Sequence, residues 1–489
     1  MRAVLLLLTI CVGLGTLPGF EPVQPDLFSS GGALANAWAD VDGDGDVDLF
    51  VGFNGTPNRL YVNDGGVFAD RAEAMGIADA LATRAAAWGD YDDDGDPDLL
   101  LGFTPAAGSV LRLYRNDRGR FTNVSGNAGL QVDSGAVRQP TWIDVDGDGD
   151  LDLFVAFRDR ANALFRNDGG RFTDIAQQLG LADGRHSVGA VWFDYDEDGD
   201  LDLVVGNMDG DANGVFRNDG SRFVDVADEL GLAWGGRAPD DAANGTVRPC
   251  AADVDGDGRL DLFFANYGPN GLFLNRGDGR FEDVSHAWGI AIDGRYDTCA
   301  FADIDHDGRL DLYVNGTVTG GVSHPDHLFR NTGQRFSDET PATIRDIAAS
   351  HGAQWADADD DGDLDLALAG VAAGAAHPLL RNLLVRSAGA RSVEVGVHDE
   401  RGRALPGAEI RVYHAGTRTL LGTRITDTGS GYNSQSVLPV HIGVADAATV
   451  DIELIAPARG ARTITRVEAV PVSAADRAIV MVRVAASSR

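Results

Sequence analysis

Residues 40–48 read DVDGDGDVD, five aspartates at alternate positions around two glycines, and an apolar run follows. Oxygen donors at this spacing do one kind of chemistry well. In the pattern DxDxDGxxD, carboxylates at positions 1, 3, 5 and 9 and the backbone carbonyl of position 7 form an all-oxygen cage. Glycine at position 6 permits the sharp turn that aims alternate side chains inward. Such a cage suits a hard cation with flexible coordination, which favours Ca2+ over Mg2+ and excludes zinc.

The motif begins at residues 40, 90, 144, 194, 253, 303 and 357. The candidate metal ligands are therefore Asp40, Asp42, Asp44, Asp46 and Asp48; Asp90, Asp92, Asp94, Asp96 and Asp98; Asp144, Asp146, Asp148, Asp150 and Asp152; and Asp194, Asp196, Asp198, Asp200 and Asp202. The later loops add Asp253, Asp255, Asp257, Arg259 and Asp261; Asp303, Asp305, Asp307, Arg309 and Asp311; and Asp357, Asp359, Asp361, Asp363 and Asp365. Arg259 and Arg309 stand at position 7, where only the carbonyl is a ligand and the side chain is free to vary. An EF-hand needs Glu at position 12, but here that position is Val51, Leu101, Val155, Val205, Phe264, Val314 or Leu368. Without metal, neighbouring carboxylates repel by roughly 1 kcal/mol per pair even at the dielectric of water. Up to seven structural Ca2+ ions are expected to staple the strands on either side of each loop.

The elements that must hold these loops repeat with them, at steps of 50, 54, 50, 59, 50 and 54 residues. A period near 50 implies a propeller or array. An apolar run precedes each loop, with Trp38, Trp88, Trp142, Trp192 or Trp355 two residues before the first Asp, and a second run such as LFVGF follows. Hairpin signals come next (LYVNDGGVF, LYRNDRGRF, LFRNDGGRF, VFRNDGSRF, LFLNRGDGRF, LFRNTGQRF), in which Asn, Asp and Gly are read as supplying positive φ. Four strands per unit in seven units predict an all-β chain built on a seven-bladed β-propeller. Phe68, Phe121, Phe172, Phe223, Phe281 and Phe336 close six hairpins, whereas the last unit stops at LLRN; Phe20 therefore supplies the missing outer strand as a clasp.

The chain carries a formal charge of −35, and the seven loops hold 36 of its 75 acidic residues against 2 of its 40 basic ones. The acidity is thus local and argues for bound cations and against nucleic acid as a ligand. Residues 1–19 have the layout of a secretory signal; the LTIC at residues 8–11 is a poor lipoprotein box. No later stretch reaches the roughly 20 apolar residues of a membrane span. The basic residues are all Arg, a bias of GC-rich bacterial genomes, in which sequons at Asn54, Asn123, Asn244 and Asn315 have no consequence. An exported protein, secreted, periplasmic or at the cell surface, is expected. Cys250 and Cys299 fall at similar points of neighbouring units, and a disulfide and two buried thiols both stay open.

At these residues the sequence resembles the FG-GAP and VCBS repeat proteins, whose relatives include the integrin α-subunit propellers with calcium in the same DxDxDG loops. RNDGGRFTD at 166–174 is similar to the cartilage acidic protein and ASPIC/UnbV group. The resemblance covers residues 20–383. Residues 384–489 alternate as a small β-sandwich-like domain in which PGAEIRVY, GSGYNSQ and HIGVADAATVDIELIAPARG resemble the ASPIC/UnbV module. The resemblance implies a calcium-stabilised binding or adhesion-type protein that engages protein or glycan through loops on the face opposite the metal loops, with 233–250 and 316–327 the longest connections. The competing reading is a propeller enzyme, a polysaccharide lyase or hydrolase, using His324, Asp326 and His327, or His186 and His351. No GxSxG, HExxH, P-loop or dinucleotide fingerprint supports it.

Overall fold

A computed structural model describes residues 17–104, 109–239, 243–277, 279–319, 322–347, 350–370, 376–385, 390–457, 459–473 and 479–484. Residues 1–16 of the expected signal segment lie outside the described residues, as do 240–242 and 320–321 in the two long connections.

The second strand of every unit starts at position 9 of its acidic loop: Asp48–Phe53, Asp98–Phe103, Asp152–Phe157, Asp202–Asn207, Asp261–Pro269, Asp311–Gly316 and Asp365–Gly370. In each, the first six residues are all buried, as expected of a strand covered on both faces. Each second strand pairs antiparallel with the strand before its loop and with the hairpin strand after it. The fourth strand completes a four-stranded meander in six units. In the last unit the fourth strand is Phe20–Val23, paired antiparallel with Leu379–Asn382.

The first strands, Ala33–Ala39, Thr83–Gly89, Val137–Ile143, Ser187–Phe193, Gly245–Ala252, Asp293–Ala302 and Ser350–Ala356, pack side by side in chain order, and the last packs on the first. The sheets thus surround a central axis as a propeller-like ring. In four places a tryptophan ties the core of one unit to the unit before it. Trp88 Nε1 donates to the Ala37 carbonyl (3.3 Å), Trp142 Nε1 to Ala87 (3.3 Å), Trp192 Nε1 to Thr141 Oγ1 (2.9 Å) and Trp355 Nε1 to Ala300 (3.2 Å), each reaching back one unit. A Cβ on Gly89 would stand 2.6 Å from the Trp142 ring, so this glycine makes room for the neighbouring unit's indole. Cys250 and Cys299, on adjacent first strands, form a disulfide (S–S 2.06 Å).

The C-terminal strands form two sheets, one of Val440–Ala445, Arg391–Asp399 and Ile479–Val484, the other of Leu420–Ile425, Glu409–His414, Thr449–Pro457 and Arg462–Pro471. They enclose a core that includes Val395, Ile410, Ile442, Ile452 and Leu454. The connection between Leu420–Ile425 and Val440–Ala445 leaves this sandwich and enters the ring. Ser434 and Gln435 pair parallel with Ala86 and Ala87. Trp192 N–H donates to Thr428 Oγ1 (3.1 Å), Trp38 N–H to Ser436 Oγ (3.0 Å) and Trp142 N–H to Gln435 Oε1 (2.6 Å). The segment 427–437 is therefore a plug, satisfying inward-facing groups of the first strands that have no neighbour in their own sheets.

Gln435 also donates Nε2 to the carbonyls of Trp142 (3.1 Å) and Asp427 (2.8 Å). Gln435→Ala leaves the Trp142 N–H buried without an acceptor, at a cost of about 1–3 kcal/mol. Thermal unfolding should show a lower Tm, and limited proteolysis should release the C-terminal sandwich sooner than in the parent chain.

Candidate metal centres

Each acidic loop closes on its own first aspartate. The position-6 N–H donates to the position-1 carboxylate in all seven: Gly45 to Asp40 (3.0 Å), Gly95 to Asp90 (3.0 Å), Gly149 to Asp144 (3.0 Å), Gly199 to Asp194 (3.1 Å), Gly258 to Asp253 (3.0 Å), Gly308 to Asp303 (3.0 Å) and Gly362 to Asp357 (2.9 Å). These glycines have φ between 84° and 101°, where a side chain would be strained.

Position 9 does different work. Its Oδ1 accepts the N–H of the hairpin asparagine at 2.8 Å in every unit, from Asn63 on Asp48 to Asn382 on Asp365. In six units its Oδ2 accepts the N–H of position 2, as Val41 does to Asp48 (2.9 Å). The ninth aspartate thus ties the loop start to the third strand while its side chain lies under the cage. Carboxylate oxygens of Asp40, Asp42 and Asp48 lie within 4.8 Å of one another, as do those of Asp144, Asp146 and Asp152, of Asp194, Asp196 and Asp202, and of Asp253, Asp255 and Asp261; in the second loop the trio is Asp90, Asp92 and Asp94. The position-7 side chains turn elsewhere: Asp46 accepts from Gly65 N–H (2.6 Å), Asp96 from Arg118 N–H (3.0 Å) and Asp150 from Gly169 N–H (3.1 Å). Arg259 and Arg309 donate Nε to the carbonyls of Asn275 and Asn331 (2.9 Å each) and pair through Nη2 with Asp257 and Asp307, the fifth-position carboxylates of their own loops.

The residues fit a hard cation on one observation: Oδ1 of Asp92, Asp196 and Asp359, the third position of three loops, is buried with no hydrogen-bond donor, and so is Oδ1 of Asp194. An unpaired buried anionic oxygen is costly unless a cation meets it. Arginines closely meet the third aspartate in three loops. Asp255 pairs with Arg276 (2.8 Å), Asp305 with the nearly buried Arg330 (2.7 Å) and Asp359, through its other oxygen, with Arg381 (2.8 Å), so the fifth, sixth and seventh cages already hold part of their counter-charge.

The hairpin asparagines are a functional set that turn chemistry alone does not reveal. The residues with positive φ in these hairpins are Gly and Arg118; the asparagines are strand residues, and this corrects their reading as positive-φ turn formers. Their amides reach the preceding unit: Asn116 Nδ2 donates to the Val41 carbonyl (2.9 Å), Asn167 to Tyr91 (2.8 Å), Asn275 to Tyr195 (2.8 Å), Asn331 to Val254 (2.9 Å) and Asn382 to Ile304 (3.2 Å). Asn63 closes the circle on Ala358 (3.0 Å). The available signal was an Asn at one place in every repeat.

The C-terminal sandwich sits on this metal-loop face. Arg462 Nε lies 3.0 Å from Asp194, Arg403 3.2 Å from Asp93, and Gly460 N–H donates to Asp200 (2.7 Å). His441 Nε2 is 3.0 Å from the Gly362 carbonyl. The histidines considered for catalysis have other partners: His327 pairs with Asp338 (2.9 Å) and stacks on Phe329, and His186 pairs with Asp211 (2.9 Å). Asp326 accepts from the Tyr313 hydroxyl (2.6 Å) and the Gly316 N–H (2.7 Å).

The model described as FG-GAP-like repeat matches residues 17–101, 144–205, 194–262 and 253–314, together more than half of the chain. No curated protein matches the sequence. Among solved structures, an Agrocybe aegerita lectin that recognises non-reducing terminal N-acetylglucosamine is similar at 15% identity, covering 86% of this chain and 96% of its own, with a TM-score of 0.39. The extracellular domain of a hybrid two-component system from B. thetaiotaomicron is similar at 8% identity with a TM-score of 0.48. That match covers 95% of this chain, which spans only 57% of the length of that one.

Burial pushes the metal-free carboxylates up from 3.8: Asp90, Asp144 and Asp253 to about 6, Asp48, Asp194 and Asp303 to about 7, Asp152 to about 8 and Asp98 to about 9. With folded values above unfolded ones, the native state holds more protons, so its stability is present at low pH and is lost as pH rises through these values. In chelator, Tm should fall between about pH 5 and about pH 9. Ca2+ at a hundredfold its Kd should restore about 2.7 kcal/mol per site at the alkaline end. A melting curve indifferent to chelator at pH 8 to 9 would remove the metal from the fold.

Proposed function

This chain belongs to the FG-GAP-like repeat family, and from that premise we propose that it is a calcium-stabilised, exported binding protein of adhesion or matrix type that engages protein or glycan. On this reading residues 1–19 are a signal segment, 20–383 a seven-bladed ring closed by its N-terminal strand, and 384–489 an ASPIC/UnbV-type module, in the manner of the cartilage acidic protein-like group. The acidic loops hold Ca2+ as a structural ion at the strand junctions.

The observation that carries the reading is the unequal use of the two ends of the ring. At the metal-loop end the sandwich touches loops two, three, four, six and seven, through Arg403 on Asp93 and Asp150, Arg462 on Asp194, Gly443 beside Asp303, and Ser392 on the Gly362 carbonyl. That end is covered, which leaves the opposite face and its longer connections for partners. The disulfide supports folding in an oxidising compartment. Among the described residues, no helix is long and apolar enough to cross a membrane.

A glycan and extracellular-protein binding screen, run with Ca2+ and after chelation, tests this. Binding should appear in Ca2+ and weaken on chelation in parallel with the loss of thermal stability. Absence of binding across both panels in calcium-loaded protein would refute the proposal.

A further inference from the structure

The end of the channel away from the acidic loops holds a cavity of about 310 Å3. Its walls come from the entry ends of the first strands. Arg84 is the second residue of Thr83–Gly89 and Arg138 the second of Val137–Ile143, while Arg158 follows Asp152–Phe157. Tyr432, from the plug, closes it from inside. Its hydroxyl accepts from Arg84 Nη1 (3.0 Å), and its ring centroid is 3.8 Å from that of His351, whose Nδ1 lies 2.8 Å from Asp297.

The three arginines are not equivalent. Arg158 is neutralised by Asp209 through bonds of 2.8 to 3.1 Å. Among the described residues, neither Arg84 nor Arg138 meets a carboxylate at ion-pair distance, and the Nε of each is buried with no acceptor. Arg138 donates Nη1 only to the neighbouring Val137 carbonyl (2.9 Å). Burial, reinforced by Arg84 and Arg158 and opposed by Tyr432 and, more weakly, by Asp159, pulls the Arg138 guanidinium down to about 10. Two like charges held side by side beneath solvent, with donors unsatisfied, form a half-built anion site in a chain that is otherwise strongly acidic.

We propose that this mouth binds the carboxylate of an acidic sugar, a uronic acid unit of a polysaccharide, on the forks of Arg84 and Arg138. The inference rests on the binding-protein reading above and names its ligand class. Guanidinium groups match a planar carboxylate two bonds at a time, which an ammonium cannot do. The cavity is also lined by Tyr432, with one face against His351, by Tyr267, whose ring lies under Arg295, and by Thr317 and the His351–Asp297 pair, polar groups within reach of sugar hydroxyls. The volume lies at the small end of ligand pockets, roughly 300–1,000 Å3, and suits the end of a saccharide better than a folded protein surface.

The test is calorimetric titration of the full chain, calcium-loaded and dialysed free of excess ion, with tri-galacturonate, with tri-mannuronate, and with the methyl ester of the former. One uronate at least should bind, about tenfold more tightly than its uncharged ester. Arg138→Gln should weaken that binding by about tenfold or more, and Arg84→Lys, which keeps the charge but not the fork, should weaken it too. Arg222→Gln, at an exposed outer hairpin, should leave it unchanged, with Tm reporting the fold of each variant. A neutral glycan bound equally by parent and Arg138→Gln, with no preference for uronate, overturns this site but keeps the glycan-binding reading. Failure of every glycan and protein in the wider screen overturns both.

Discussion

Negative charge gathered at one end of a ring is the constraint to which the rest of the molecule responds. Each loop must hold several carboxylates close together at the point where a buried strand begins, and water cannot reach all of them. The chain answers in layers. Backbone N–H groups meet the first and ninth aspartates of every loop, arginines meet the third in the fifth, sixth and seventh, and one oxygen each of Asp92, Asp196 and Asp359 has no donor. The C-terminal sandwich adds Arg403 and Arg462 from above.

Holding the loops in place also closes the ring. The ninth aspartate fixes the asparagine's backbone, the asparagine's amide in six units fixes the previous loop, and in four units a tryptophan before the loop fixes the previous first strand. Asn63 carries this pattern across the closure to Ala358 in the last unit. A change in one loop is therefore felt in two units, and the acidic loops and the packing between sheets act as one network.

The plug makes the two ends of the channel unlike. Residues 427–437 supply hydrogen bonds that the first strands cannot make among themselves, and they carry Tyr432 to the far mouth, where it meets Arg84 and His351. One mouth is thus covered by the sandwich, whose arginines meet part of its negative charge. The other keeps unmatched guanidinium groups under a small opening. A ligand site built jointly from ring and plug would depend on the docking of the two parts.

The sequence alone determined the repeat, the four strands per unit, the oxygen cages and the borrowed outer strand, because each of these is local. A nine-residue aspartate pattern, an apolar run of strand length and a missing hairpin can be read without knowing what lies across the sheet. Only the tertiary structure decided the rest. The asparagines look like turn formers along the chain but act as staples between units, since their partners lie some 75 to 80 residues away, or 295 across the closure. GSGYNSQ carries no periodic signal, and the bonds that Gln435 and the flanking Thr428 and Ser436 make to Trp142, Trp192 and Trp38 exist only once the ring has formed around the segment. Arg84 and Arg138 occupy ordinary strand positions, and their unmatched charge is a property of the space that strands of separate units enclose.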